Sequence, residues 1–106
     1  MHTITREELK QKLEQGEEVA VWMASDSQTF TKIHIPGTEV FKPQDSLRKI
    51  DTNSEIVVYC INSVCYTSYM LYRYLRSIGY TKIRRYSGGI EDWETAGYPL
   101  AGSLVH

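Results

Sequence analysis

Apolar positions along this chain fall in short clusters whose spacing changes between helical and continuous. Thr5-Arg6-Glu7-Glu8 has the form of a capping box, a Thr hydroxyl followed three residues later by a Glu. Leu9 and Leu13 follow four residues apart, so a helix over about 5–15 has one apolar face, and Gly16 stops it. Val19-Ala20-Val21-Trp22-Met23 is continuous and too short for a helix, which predicts a buried strand. Asp26 or Ser27 caps a short helix carrying Phe30, and Ile33-His34-Ile35-Pro36-Gly37 ends it. Val40 and Phe41 suggest a second short strand. Pro43 to Ile50 reads as a helix with Pro in its first turn and Leu47 and Ile50 inward.

The second half repeats the alternation. After the turn cluster Asp51-Thr52-Asn53-Ser54 comes Ile56-Val57-Val58-Tyr59, apolar at every position. Continuous rather than alternating apolarity marks a central parallel strand covered on both faces. A helix over about 67–78 follows, with Leu71, Leu75 and Ile78 as its inner face and Gly79 at its C-terminal cap. Lys82 to Tyr86 is another strand. Ser87-Gly88-Gly89 turns tightly into a last helix, Ile90 to Ala96, which holds Trp93 for the core and ends at Gly97-Tyr98-Pro99. Short strands alternating with helices predict an α/β fold with a parallel sheet and helices on both faces.

Composition narrows the class without naming it. The 106 residues fit one domain, 1–106. A formal net charge of -1 argues against nucleic acid as the main partner. No apolar run approaches the roughly 20 residues of a membrane span, and the polar N-terminus is not a secretory signal. Two cysteines without such a signal make a disulfide framework unexpected, so the expected location is cytoplasmic with reduced thiols. Two cysteines and one interior histidine at these spacings make a poor zinc site.

The candidate chemistry lies where the central strand ends. In parallel sheets ligands bind just beyond the carboxyl ends of the strands. Cys60 stands there, followed by the loop Ile61, Asn62, Ser63, Val64 and Cys65 and the start of a helix at Tyr66, Thr67 and Ser68. Converging loop N–H groups and the positive end of the helix would both favour a thiolate. Position alone leaves open whether Cys60 reacts or packs.

Val58-Tyr59-Cys60, Gly79-Tyr80, Tyr86-Ser87-Gly88-Gly89-Ile90-Glu91-Asp92-Trp93 and Ala96-Gly97-Tyr98-Pro99-Leu100 together resemble the rhodanese-like family. So does His34-Ile35-Pro36-Gly37 with Phe30 before it. The resemblance covers nearly the whole chain in order. It implies a three-layer α/β/α fold with a five-stranded parallel sheet of order 3-2-4-5-1. It also implies that Cys60 accepts sulfane sulfur from thiosulfate or a persulfide donor and passes it to a thiol acceptor, on a small molecule or a protein, or to cyanide. No metal or organic cofactor is needed.

Three positions depart from the family pattern. Cys65 stands where an Arg is common, five residues after Cys60, and no Arg or Lys lies between Cys60 and Leu71. This also counts against a Cys-dependent phosphatase, whose loop Arg binds phosphate. Met23-Ala24-Ser25 replaces the usual Asp-x-Arg, and the loop is about two residues longer than the commonest form. The run Cys60-x4-Cys65-x2-Ser68 is similar to a two-cysteine variant, in which Cys65 would resolve a Cys60 persulfide as a disulfide; Cys65 as a small helix-start residue is the bland alternative. A non-catalytic module that keeps the fold is the alternative for the whole chain. His34 is expected to be a structural hydrogen-bonder, and the terminal His2 and His106 to be uninformative. Arg84 and Arg85 point to alternate faces; one could reach the pocket mouth, but solvated roles are expected, as for Arg73.

Overall fold

The computed structural model describes residues 1–104. His106 lies outside the described residues. The elements run α1 (Arg6–Glu14), β1 (Ala20–Met23), α2 (Ser27–Lys32), β2 (Glu39–Val40), α3 (Pro43–Arg48), β3 (Ile56–Tyr59), α4 (Tyr66–Ser77), β4 (Ile83–Tyr86) and α5 (Gly89–Thr95). The four strands form one parallel sheet in the order β2-β1-β3-β4.

The expected fifth strand is reduced to a single bridge. Thr3 pairs in parallel with Arg85, and His2 O and Ile4 N–H bond the Arg85 backbone at 2.9 and 3.2 Å. The pairing sits at the expected edge, beside β4. It stops after one bridge because Thr5 already caps α1, its hydroxyl accepting from Glu8 N at 3.1 Å. The Thr5 cap that starts the helix also ends the strand.

β3 is buried at all four residues, as its continuous apolarity predicts. Alternate side chains divide between two cores. Val57 and Tyr59 pack with Leu9, Ile35, Ile90 and Trp93 on the face covered by α1 and α5. Ile56 and Val58 pack with Trp22, Leu71, Leu75 and Ile83 on the face covered by α4, where Leu47 and Ile50 add partial cover. Tyr59 places a hydroxyl deep in the first core. It accepts from Ile35 N at 3.1 Å and pairs with the Thr38 hydroxyl at 2.7 Å; burial pushes its phenol up to about 12.

Two local expectations are corrected. α3 ends at Arg48, two residues early, because Lys49 N–H turns back to Ser46 O. Ile78 is not part of the inner face of α4: it stands at the C-terminal cap with 42% of its surface exposed, and Tyr72 is buried with Leu71 and Leu75 instead. Asp26, not Ser27, caps α2, its carboxylate accepting from Thr29 N at 2.7 Å. His34 is structural as expected: its ring stacks on Phe30 and its Nδ1 lies 2.7 Å from Phe30 O.

Candidate active site around Cys60 and Cys65

β3 delivers its chain to Cys60 at the C-terminal edge of the sheet, with Cys60 only 3% exposed. The first two loop carbonyls are then captured by the start of α5. Ile90 N–H donates to Cys60 O at 3.1 Å and Glu91 N–H to Ile61 O at 2.8 Å. This close approach requires glycine at position 89. A Cβ there would fall within 2.8 Å of the Ile61 carbonyl carbon and closer still to Cys60 O, and Gly89 has a φ of +64°. The Gly88-Gly89 turn therefore fastens the loop as well as turning the chain.

Beyond Ile61 the loop is organised from within by Asn62. Its side-chain oxygen accepts from Val64 N at 3.2 Å and its backbone oxygen from Cys65 N at 3.2 Å. This curl returns the chain so that Cys65 forms a disulfide with Cys60, with Cα atoms 6.3 Å apart. Thr67 Oγ1 lies 2.8 Å from Cys65 Sγ and 3.4 Å from Cys60 Sγ. Cys65 is also the residue before the first turn of α4, and no side chain caps that end of the helix. The positive end of α4 thus opens beside the two sulfurs.

The remaining loop residues divide into exposed and buried. Ile61, Val64 and Tyr66 are exposed by 41%, 81% and 77%, and Ser63 is exposed as well. Ser68 is buried, and its hydroxyl accepts from Arg85 Nε at 2.8 Å. Arg85 also donates through Nη2 to Cys65 O at 3.1 Å. The expected solvated role for Arg85 is therefore overturned. The signal was present in the period of β4: Ile83 faces α4, so Arg85, two residues on, faces it too. Arg84 points the other way, into Glu8 at 2.7 Å and Glu55 at 3.5 Å.

The loop lacks the charged brace usual after the early strand. Met23 and Ala24 are buried in the cores, Ala24 N–H bonds Tyr59 O at 2.8 Å, and Asp26 is spent capping α2. The α5 N–H groups and the Arg85 fork do the bracing instead. Replacing Arg85 by Met keeps the aliphatic stem but strands the buried Ser68 hydroxyl and frees Cys65 O. A loss of about 1–3 kcal/mol is expected in urea unfolding, with faster amide exchange in the first turn of α4. Lys should restore little of it, because an ammonium does not reproduce a fork that grips two acceptors.

A concavity lined by Val19, Glu39, Lys49, Asp51, Glu55 and Lys82 lies at the opposite end of the strands and touches none of these residues. Among the described residues no group of His, Cys, Asp and Glu could hold a metal ion, and no helix is long and apolar enough to cross a membrane.

A parallel α/β sheet with a cysteine at the end of its central strand, clamped by the next Gly-Gly turn, defines a recognisable class. The chain belongs to the rhodanese-like domain family, whose model matches residues 5–96. Its fold is similar to that of a Bacillus halodurans protein, with a TM-score of 0.86 at 19% identity over 97% of this chain and 78% of that one. The rhodanese-like domain of an Anabaena sp. protein superposes with a TM-score of 0.80 at 25% identity, covering 98% of this chain and 81% of that one. The thiosulfate sulfurtransferase of Pseudomonas aeruginosa matches with a TM-score of 0.80 at 18% identity; all of this chain is covered, but only 21% of that enzyme. A search of curated protein sequences finds no match.

Proposed function

We propose that this protein is a sulfur carrier that takes sulfane sulfur on Cys60 and releases it with the help of Cys65. The observation that carries the reading is the pairing of the two sulfurs, 60 with 65, at the end of the central strand of a rhodanese-like fold. The disulfide is the resting oxidised form, and a thiol reductant returns both cysteines to thiols. The Cys60 thiolate then attacks the outer sulfur of thiosulfate. The bond to the sulfite sulfur breaks and sulfite leaves with its electron pair, leaving a Cys60 persulfide anion. A persulfide donor reacts the same way and expels a thiolate.

Two groups support that anion. The uncapped first turn of α4 offers N–H groups and the positive end of the helix dipole. Arg85 sets a fixed positive charge under the same turn, in place of the arginine missing from the loop. An external thiol, or cyanide, then takes the terminal sulfur. Alternatively the Cys65 thiolate attacks Cys60 Sγ: the Cys60–Cys65 bond forms, the bond to the terminal sulfur breaks, and that sulfur takes a proton and leaves as hydrosulfide.

The test is intact mass after reduction, removal of reductant and incubation with thiosulfate or polysulfide. One added sulfur is expected on Cys65→Ser, which cannot unload it internally, and none on Cys60→Ser. No adduct on either chain, or an adduct that survives Cys60→Ser, would overturn the reading in favour of a binding module that keeps the fold.

A further inference from the structure

The exposed large apolar side chains of this protein are not scattered. Met1 and Leu104 apart, all of those among the described residues belong to one strip: Ile61, Val64, Tyr66, Met70, Tyr74 and Ile78. The last four recur every fourth residue, so they line one side of α4. The strip begins at the loop that holds Cys60 and Cys65, since Ile61 follows Cys60 and Val64 precedes Cys65.

Its charge is as one-sided as its polarity. No Asp or Glu occurs between Glu55 and Glu91, while Arg73, Arg76, Lys82, Arg84 and Arg85 all do. Arg84 is engaged by Glu8 and Glu55, and Arg85 by Ser68 and Cys65 O. Arg73 and Arg76 are exposed on α4, beside the strip, and among the described residues neither pairs with a carboxylate. Arg73 lies over the Tyr69 ring. α4 contains Tyr, Met, Leu and Arg but no Lys, Asp or Glu. Exposed Tyr, Met and Arg without those three is the composition of the centre of a protein interface, not of a solvated helix.

We infer that the outer face of α4 is the dock for a partner protein with an acidic, part-apolar surface that brings a cysteine to Cys60. The inference rests on the sulfur-carrier reading for the partner's chemistry. Unmatched arginines beside an apolar strip select carboxylates around an apolar centre. Continuity of the strip with the sulfur loop puts the partner's thiol within reach of Cys60. A second copy of this chain is a poor occupant, because its own α4 offers no carboxylate to match Arg73 and Arg76.

The test reads docking without needing a persulfide. Cys65→Ser protein is converted to the mixed disulfide of Cys60 with 5-thio-2-nitrobenzoate. Release of the coloured thiolate then reports attack by three probes: 2-mercaptoethanol, a cysteine peptide of alternating Leu and Glu, and its Leu/Lys counterpart. At low salt the Glu peptide is expected to outpace the Lys peptide by about tenfold or more, with the advantage falling as salt is added. Arg73→Glu with Arg76→Glu should reverse the charge preference, Met70→Ser should slow the Glu peptide, and 2-mercaptoethanol should react alike with every variant. Equal peptide rates, or rates blind to these substitutions, overturn the inference. So does sedimentation as a dimer that Met70→Ser dissociates, or binding of a labelled single-stranded oligonucleotide through Arg73 and Arg76. Failure of the sulfur-carrier reading shows separately, as a missing mass adduct.

Discussion

Cys65→Ser is expected to convert a transient persulfide into a lasting one. In the reduced wild-type chain the Cys65 thiol is tethered within a disulfide's reach of Cys60 Sγ, as their bond and the 6.3 Å Cα separation require. A tethered thiol acts at an effective concentration of order millimolar or higher, whatever the external thiol. Loaded with polysulfide and freed of donor, the wild-type chain should therefore return to its disulfide and release one sulfide per chain. Cys65→Ser has no internal nucleophile, and its persulfide should outlast the wild-type one by on the order of tenfold or more. Cys60→Ser should accept nothing. Intact mass against time, with a sulfide assay on the same samples, separates the three chains. Equal lifetimes in wild type and Cys65→Ser would show that Cys65 is idle in the reduced protein and that external thiols do the unloading.

The same pair illustrates what was legible in the sequence. Cys60 stood out because an unbroken apolar run such as Ile56 to Tyr59 has few other homes than a central parallel strand, and its end is where such sheets bind. The Thr5 cap and the Pro at the start of α3 were equally local, and both hold in the structure, although the return half of the capping box does not form because the Glu8 carboxylate pairs with Arg84. Long-range features were harder to read. The outermost strand shrinks to one bridge at Thr3 because the helix cap at Thr5 begins two residues later. Ile78 follows the helical period of Leu71 and Leu75, but the helix stops one residue before it can turn inward. The bracing of the loop was hidden because it comes from partners 20 and 30 residues away, Arg85 on Cys65 O and Ile90 on Cys60 O. Sequence spacing showed which charges the loop lacks; only the pairing of β3 with β4 shows which arginine takes their place.

Gly89→Ala should be strongly destabilising for the addition of a single methyl group. Two costs coincide there. The φ of +64° puts an alanine in the left-handed region, at about 1–2 kcal/mol. The added Cβ also meets backbone rather than a flexible side chain, at 2.8 Å from the Ile61 carbonyl carbon and nearer to Cys60 O, so the loop itself has to move. Moving it stretches the hydrogen bonds from Ile90 and Glu91 that hold the loop to α5. A total loss of about 2–4 kcal/mol is expected, with a fall in Tm of about 4–8 °C for each kcal/mol. Gly97→Ala is the control. Its φ is +77° with nothing within 4 Å of the new Cβ, so it bears the conformational cost alone. The difference between the two variants measures the close approach between α5 and the sulfur loop. Function should divide them further, because only Gly89→Ala displaces Cys60 from the start of α4: at a temperature where both are folded, sulfur uptake should fall in Gly89→Ala and hold in Gly97→Ala. If both variants lose equal stability and keep equal uptake, the glycine clamp is not what positions the loop.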